Sequence, residues 1–478
     1  MRKTLTHCLA SLVLLSSMNI APVFATCGGG GGGGDGGMGS NSRIYNVPWL
    51  RPIAGETPKE GVIIYWLPAD LQESQTSPLR NSRMLALSAS QCVSLLVEEP
   101  GSPDSAKIAA LAKVSELPLV VMTTPDGTVI GKVEARFKAI DVASVEQMLA
   151  AELQKRGDEL KAHIDAGKSK EDSGDKDGAI TEFKAVYDQR CLFPKRAREA
   201  IRELKRLGVN DLAAVPDPPN FDPVFSAKIA KVMKDGLQAE TNFKFDDAER
   251  LYLEAQKMDP ADPAPRRYLG ELYRHHIGDW VKARDEFNAI LAMKSDPLSR
   301  AVALHGLGKM TIHDGEFKKG EALMERSVKT FPLALAYRNL AVYWNSEGDP
   351  VKADEYIKDA LSIDPKDPYN LVFAAALEAK TGHSEDALKI ATENEALLPA
   401  SYNLAAIYAQ KGEKEKALAL LKRHFYLYER TANVRSKEMM EARVDAVFDS
   451  IVHDPAFLAL TVHADGKLPM RDTMKQRQ

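Results

Sequence analysis

The stretch ALAYRNLAVYWNSEGDPVKADEYIKDALSIDP, from Ala334 to Pro365, decides how most of this chain folds. Apolar residues recur every three or four positions on both sides of Gly348, which predicts two amphipathic helices joined by a turn at the glycine. Two short helices alone cannot bury enough apolar surface to offset the conformational entropy lost on ordering. The hairpin must therefore pack against further hairpins of the same design.

The same hairpin pattern recurs along the chain with a period near 34 residues. The turn glycines are 33, 34 and 30 residues apart: Gly315, Gly348, Gly382 and Gly412. In four first helices a leucine precedes a small residue, as in Leu269-Gly270, Leu307-Gly308, Leu340-Ala341 and Leu404-Ala405. A small side chain at that position lets two helices approach closely. Successive units are closed by Pro260, Pro332, Pro365 and Pro399.

This combination of period, turn and paired helices resembles the tetratricopeptide repeat (TPR) over residues 224–430. The resemblance implies an all-α solenoid whose first helices line a concave groove that holds a peptide or protein partner. By repeat position, the residues expected to face this groove are Arg267, His305, Lys309, Arg338, Asn339, Asn345 and Asn403. Because Lys309 and Arg338 are basic, an acidic or carboxylate-ended partner is expected. The alternative, that these are polar residues without a ligand, is equally open.

Residues 61–153 have the pattern of a small α/β domain, with strand-like runs starting near Val62, Cys92, Leu119 and Val129. The order of elements resembles the thioredoxin-like fold. The resemblance is carried by YWLPADLQESQ at residues 65–75 and by Leu117-Pro118, which looks like the family's cis-proline region. The two positions of the family's redox cysteines hold Gln72 and Gln75, so the resemblance implies the fold without thiol-disulfide chemistry.

The chain has four cysteines, Cys8, Cys27, Cys92 and Cys191, without the spacing of a metal site or disulfide framework. We expect Cys92 to be a buried structural thiol inside a strand. A bridge from Cys92 to Cys191 stays open in an oxidising compartment. A thiol-redox or chaperone-like envelope protein that uses Cys92 or Cys191 is the alternative function.

The first 25 residues have the features of an export signal, with Arg2 and Lys3 before a short apolar run and Ala25 at a small-residue cleavage site. The residues before Cys27 also loosely resemble a bacterial lipobox. Cleavage after Ala25 and lipid attachment at Cys27 are therefore both open. The expected location is the periplasm or the medium, with membrane attachment as a lipoprotein if Cys27 is lipidated.

The predicted organisation is multidomain: a small α/β thioredoxin-like domain followed by an all-α TPR solenoid. The predicted parts are a signal peptide at 1–25, a Gly-rich flexible tether at 26–43, the thioredoxin-like domain at 44–155, a degenerate helical hairpin and linker helix at 156–214, tetratricopeptide-like repeats at 224–430, C-terminal capping helices at 431–465 and a disordered tail at 466–478.

Several classes of function find no support in the sequence. A net charge of −4 without a basic stripe argues against nucleic acid as a partner, and no apolar run is long enough for a transmembrane segment. No catalytic, cofactor or metal motif occurs, and the adjacent His275 and His276 would point about 100° apart on a helix. We therefore expect an exported, non-enzymatic scaffold for protein-protein interaction, without cofactor or metal.

Overall fold

The computed structural model describes residues 43–463, apart from residues 54, 55, 57, 138, 381–383, 399, 430 and 431. The predictions for the signal peptide, the glycine-rich tether, Cys27, Gly382, Pro399 and the C-terminal tail lie outside these residues.

The N-terminal part contains a four-stranded mixed sheet with strand order β2-β1-β3-β4. Its strands are β1 (Val62–Leu67), β2 (Val93–Val97), β3 (Leu119–Thr123) and β4 (Val129–Glu134). Strand β1 pairs parallel to β2 and antiparallel to β3, and β4 returns antiparallel to β3. Side chains of β1 and β3 are buried on both faces, which explains their continuous apolar runs.

Three short helices connect the strands: α1 (Leu71–Thr76), α2 (Arg83–Ser88) and α3 (Pro103–Leu111). Helix α1 contains Gln72 and Gln75 and is capped by the Asp70 carboxylate, which accepts from the backbone N–H of Glu73 at 2.7 Å. The Leu117-Pro118 peptide bond before β3 is cis, as the resemblance implied.

Cys92 and Cys191 form a disulfide across a sequence separation of 99 residues, with their Cα atoms 5.7 Å apart. The expectation that Cys92 is a buried strand thiol was therefore wrong. Cys92 precedes β2 in the left-handed backbone region, with φ of 57°, and this turn directs its side chain toward the neighbouring helical hairpin. The bridge ties the α/β domain to that hairpin.

A 31-residue helix, α4 (Val142–Asp172), leads from the α/β domain into the helical part. The highly charged residues 157–172 form the second half of this helix. Helices α5 (Lys176–Asp188) and α6 (Pro194–Arg206) pack beside it. Phe183 of α5 is fully buried against Gly167, where an added Cβ would lie 2.7 Å from the ring. Helices α4, α5 and α6 thus pack together ahead of the solenoid.

The solenoid follows as consecutive helical hairpins. Its helices are α7 (Pro223–Thr241), α8 (Phe245–Met258), α9 (Pro263–Leu272), α10 (Trp280–Ala292), α11 (Pro297–His313), α12 (Phe317–Thr330), α13 (Ala334–Ser346), α14 (Pro350–Ile363), α15 (Pro368–Lys380), α16 (Ser384–Asn394), α17 (Tyr402–Lys411) and α18 (Lys414–Arg423). The predicted all-α, TPR-like solenoid after a small sheet is confirmed at this level.

Small residues allow the close helix crossings that the sequence pattern predicted. Phe287 of α10 is fully buried between Gly270 of α9 and Gly306 of α11. An added Cβ at either glycine would lie 2.4 Å from the Phe287 ring, which is well inside van der Waals contact. The absence of a side chain at both positions therefore decides how tightly three consecutive helices pack.

Polar contacts join the α/β domain to the solenoid. The Arg83 guanidinium of α2 donates to Asp259 at 2.6 Å and to Asp262 at 2.9 Å, and all three side chains are buried. The Tyr45 hydroxyl donates to the same Asp262 carboxylate at 2.9 Å. These contacts connect the sheet domain directly to the start of α9.

After α18 the chain forms a π-helical turn (His424–Tyr428), helix α19 (Ala432–Val444), a 3₁₀ turn (Ala446–Phe448) and helix α20 (Pro455–Leu460). Met439, Ala442 and Phe448 are buried in a cluster shared with α17 and α18. This cluster covers the apolar face of the last hairpin of the solenoid. Within the described residues, no helix is long and apolar enough to cross a membrane.

Candidate partner-binding surface

The first helices of the hairpins form the tight, inner side of the solenoid. Three pairs of neighbouring first helices contact each other more than any pair of neighbouring second helices does among the described residues: α9 with α11, α13 with α15, and α15 with α17. A stack of hairpins curves toward the side on which its helices lie closest together. We call the surface formed by α7, α9, α11, α13, α15 and α17 the inner surface.

Five of the seven predicted groove residues are buried rather than open to a partner. Their side chains lie on first helices, and the residues are at most 6% exposed: Arg267, His305, Lys309, Arg338 and Asn339. Asn345 and Asn403 are half-buried. These five positions therefore offer no open polar surface in the described chain, and peptide binding by the seven residues stays a prediction.

Arg338, one of these buried residues, contacts side chains about one repeat later in the chain. Arg338 Nη1 donates to Asn370 Oδ1 at 2.5 Å and lies 3.5 Å from the carboxylate of Asp367. Asn370 in turn donates to the carbonyl oxygens of Ala360 and Asp364, both at 2.9 Å. These contacts join α13 to the start of α15. The charge of Arg338 is compensated within the protein by the Asp367 carboxylate.

Asn339 and His305 form a second contact between neighbouring first helices. Asn339 Nδ2 donates to His305 Nε2 at 2.7 Å, which leaves the ring proton on Nδ1. Burial, followed by the nearby Arg274 charge, lowers the pKa of His305 to about 3. His305 is therefore neutral at physiological pH and acts as a structural acceptor.

Helix α19 lies against the inner surface and contacts repeats far from it in sequence. Glu441 Oε1 lies 2.5 Å from His313 Nε2, without the alignment of a hydrogen bond. Lys437 Nζ lies 3.1 Å from the centre of the Trp280 ring, in a cation-π contact. The helix also packs on the turn Tyr273–Ile277 that ends the first helix of this repeat. Part of the inner surface, near the ends of α9 and α11, is thus covered by the chain itself.

The contact between Glu441 and His313 is one of neutral groups near pH 7. Burial, reinforced by the neighbouring carboxylates of Glu438 and Asp445 and opposed by Lys309, raises the pKa of Glu441 to about 8. Burial and the positive charge of Lys309 lower the pKa of His313 well below its usual range. The proton therefore stays on the carboxyl group, and α19 is not held here by a full ion pair.

A second acidic group on α19 faces the turn after α18. His424 Nε2 lies 3.3 Å from Glu438 Oε2, and burial with the Glu438 charge raises the pKa of Glu429 well above its usual range. The ligand atoms of His424, Glu429 and Glu438 lie within 4.8 Å of one another, a spacing that a metal ion could bridge.

The hydrogen bonding of His424 does not suit a metal ligand. Its Nδ1 accepts from the Ser401 backbone N–H at 3.3 Å, so the neutral ring carries its proton on Nε2, where it faces Glu438. A ligating histidine instead donates from the nitrogen that does not bind the metal. The other pair, His275 and His276, is also divided, because His275 faces Glu271 at 3.2 Å and His276 faces Glu240 at 3.6 Å.

The sequence reasoning missed α19 as a component of the inner surface, having assigned residues 431–465 only to capping. A signal was present in Glu441, an acidic residue of α19 that lies close enough to the basic first-helix residue Lys309 to be influenced by its charge. The preference of Lys309 for an acidic partner stays a prediction.

Comparison with known proteins identifies the repeat class. Residues 239–299 match the tetratricopeptide repeat family. The chain is 25% identical over 239 residues to the CTR9 homolog of Arabidopsis thaliana, a match that covers 39% of this chain and 22% of that protein. It thus spans less than a quarter of the relative's length. The crystal structure of the P58(IPK) TPR domain aligns with 67% of this chain and 99% of that chain, at 14% identity and a TM-score of 0.17.

Proposed function

We propose that this chain is an exported, non-enzymatic scaffold that binds a protein partner through the inner surface of its TPR-like solenoid. The observation that carries the proposal is the TPR match at residues 239–299 within an uninterrupted series of helical hairpins. TPR repeats suggest protein-protein interaction. The proposed export rests on the charged start, short apolar run and cleavage pattern of residues 1–25.

The proposal includes a thioredoxin-like fold for the N-terminal domain, without the family's redox reaction. The strand order β2-β1-β3-β4, with one parallel and two antiparallel pairings, supports this part of the proposal. Gln72 and Gln75 offer no thiolate, and Cys92 and Cys191 are joined in a disulfide. Titration of thiols in the native protein tests the alternative redox function, which requires a reactive Cys92 or Cys191.

Partner capture tests the scaffold function. The purified chain is immobilised and exposed to envelope extract, and retained proteins are identified by mass spectrometry. A double variant, Asn345→Ala with Asn403→Ala, should reduce retention because both amides are only half-buried on the first helices. Val351→Ser on the second helix α14, where the side chain is 69% exposed, is the matched control. Retention of no protein by the wild-type chain would contradict the proposed function.

A further inference from the structure

Helix α19 is placed as a bound peptide would be. It follows the last hairpin, crosses back over the inner surface and ends at Val444, where a 3₁₀ turn redirects the chain. Its contacts reach Trp280 and His313, which belong to hairpins more than 120 residues earlier in the sequence. Such contacts are not needed to cover the last repeat, which Met439 and Ala442 already do.

The contact region between α19 and the early hairpins is polar and deeply buried. Glu441 is 1% exposed, His313 has a side chain that is 9% exposed, and Lys309 is 6% exposed. Both oxygens of the Glu441 carboxyl lack a hydrogen-bond partner among the described residues. A buried carboxyl that is incompletely satisfied weakens the docking of its helix, because it has lost hydration without full compensation.

From this geometry we infer that α19 is an intramolecular occupant of the inner surface, and that the partner recognised there presents an amphipathic helix with a carboxyl group at the position of Glu441. The partner would displace α19 and place its own carboxyl group near Lys309 and His313. This inference rests on the proposed function and specifies both the site and the chemistry of the partner. Glu441 of α19 defines the position that the competing carboxyl group would occupy, whereas Glu438 faces His424 at the turn after α18.

A partner has to compete with α19, which is covalently attached to the same chain. A covalently linked helix acts at an effective concentration on the order of millimolar, so a separate helix of the same affinity competes poorly. The apparent dissociation constant of a partner equals its intrinsic value divided by the fraction of molecules in which the surface is open. Weakening α19 should therefore tighten partner binding without any change in the inner surface itself.

The test uses a fluorescent peptide, ANVRSKEMMEARVD, which has the sequence of residues 432–445. Its binding to the full chain is measured by fluorescence anisotropy, for the wild type and for Glu438→Lys with Glu441→Lys, a variant that places positive charge against Lys309. The matched control is Glu413→Lys with Glu415→Lys, a charge reversal at two exposed positions of the last hairpin. A peptide with lysine in place of both central glutamates controls for sequence specificity.

We call Glu438→Lys with Glu441→Lys the opened variant. We expect it to bind the peptide at least about tenfold more tightly than the wild type or the control variant. It should not bind the lysine peptide, in which lysine replaces both central glutamates. Equal affinities for all three proteins would overturn the inference, as would an opened variant that binds neither peptide. Conversion of the opened variant to a dimer in sedimentation, with no peptide binding, would overturn it in favour of a second copy as the occupant.

If the opened variant does not fold, the wild-type chain still decides. A large excess of the peptide should accelerate amide hydrogen exchange in residues 432–444, while exchange in α11 and α13 slows or stays unchanged. No acceleration at saturating peptide would overturn the inference. Failure of this inference with partner capture intact leaves the scaffold function standing, whereas absence of any captured partner removes the scaffold function first.

Discussion

Replacement of Arg83 by methionine tests whether the α/β domain and the solenoid form one cooperative unit. The guanidinium lies between two buried carboxylates, Asp259 and Asp262, and also donates to Asn220 O at 2.7 Å and Ser226 Oγ at 2.8 Å. Loss of one partner from a buried ion pair costs about 3–5 kcal/mol, because the remaining charge is left in the interior. Asp259 keeps a donor in the Asn220 backbone N–H, so we expect the low end, about 3 kcal/mol.

The assay is urea unfolding followed by tryptophan fluorescence and by circular dichroism. Arg51→Met, at an exposed position of the same domain, is the matched control and should change stability by less than about 0.5 kcal/mol. Wild-type transitions from the two probes should coincide, and Arg83→Met should separate them because the sheet domain loses its connection to the solenoid.

The pH dependence gives a second measurement on the same variant. Burial raises the pKa of Asp262, and Arg83 opposes this rise. Without Arg83 the folded-state pKa rises further, so the stability of the variant is retained below the unfolded-state pKa and lost as pH increases through the folded-state value. The destabilisation by Arg83→Met should therefore be smaller at about pH 5 than at about pH 8. A cost below about 1 kcal/mol, or a cost independent of pH, would refute the reasoning.

Three further outcomes follow from other parts of the structure. Serine at both Cys92 and Cys191 should lower the free energy of unfolding by about 2–5 kcal/mol, measured in urea, because the bridge spans 99 residues. Gly270→Ala should cost about 1–3 kcal/mol in the same assay, since its Cβ would lie 2.4 Å from the Phe287 ring. Raising the pH through about 8 should speed hydrogen exchange in α19, because burial holds the Glu441 pKa at that value and ionisation then places a charge in the interior. After division by the intrinsic base-catalysed exchange rate, Glu441→Gln should remove the part of this dependence that comes from opening of α19.

Each of these outcomes has a matched control. Reduction of the wild-type chain should reproduce the serine variant, and an unchanged stability after reduction would exclude a structural role for the bridge. Gly157→Ala, in α4 with 3.6 Å to the nearest ring atom, should be neutral or stabilising. If it costs as much as Gly270→Ala, close packing is not the cause. Glu415→Gln, at an exposed position, should leave the exchange profile of α19 unaltered.

The helices and strands were accessible from the sequence because their signals are local. The apolar period around Gly348 predicted the hairpin α13–α14, and the run from Val62 predicted β1. Gly270 was identified as a close-contact position from its place in the repeat, and Phe287 fills that contact. Each of these features depends on residues within one or two hairpins.

The burial of Arg338 was less accessible, because polarity at a first-helix position normally suggests exposure. Its partner Asn370 lies 32 residues later, close to one repeat period, so the pairing becomes visible when consecutive repeats are aligned. The position of α19 could not be predicted by aligning consecutive repeats. It depends on the rotation accumulated over several hairpins, and a small error in each step moves the C-terminal helix away from Trp280 and His313.

The disulfide was also not predictable from local sequence patterns, because it joins two parts of the chain whose relative position the sequence does not give. Cys92 belongs to the sheet domain and Cys191 to the turn before α6, and their proximity results from the path of the long helix α4 between them. Periodicity predicts that a segment is helical but does not give the direction in which the helix leaves a domain. The spacing of Cys92 and Cys191 in the sequence therefore could not decide between a disulfide and free thiols.

Cross-linking of α19 to the hairpin of α9 and α10, beside the inner surface, tests the central claim most directly. Cysteines are placed at Trp280 and Lys437, with Cys8 and Cys27 replaced by serine, and a short bifunctional maleimide is added to the native protein. The control pair uses Val281, whose side chain is 71% exposed and lies about 100° around the helix from Trp280. The account predicts an intramolecular link between positions 280 and 437 and none between 281 and 437. Absence of the first link, or equal yields for the two pairs, would contradict it.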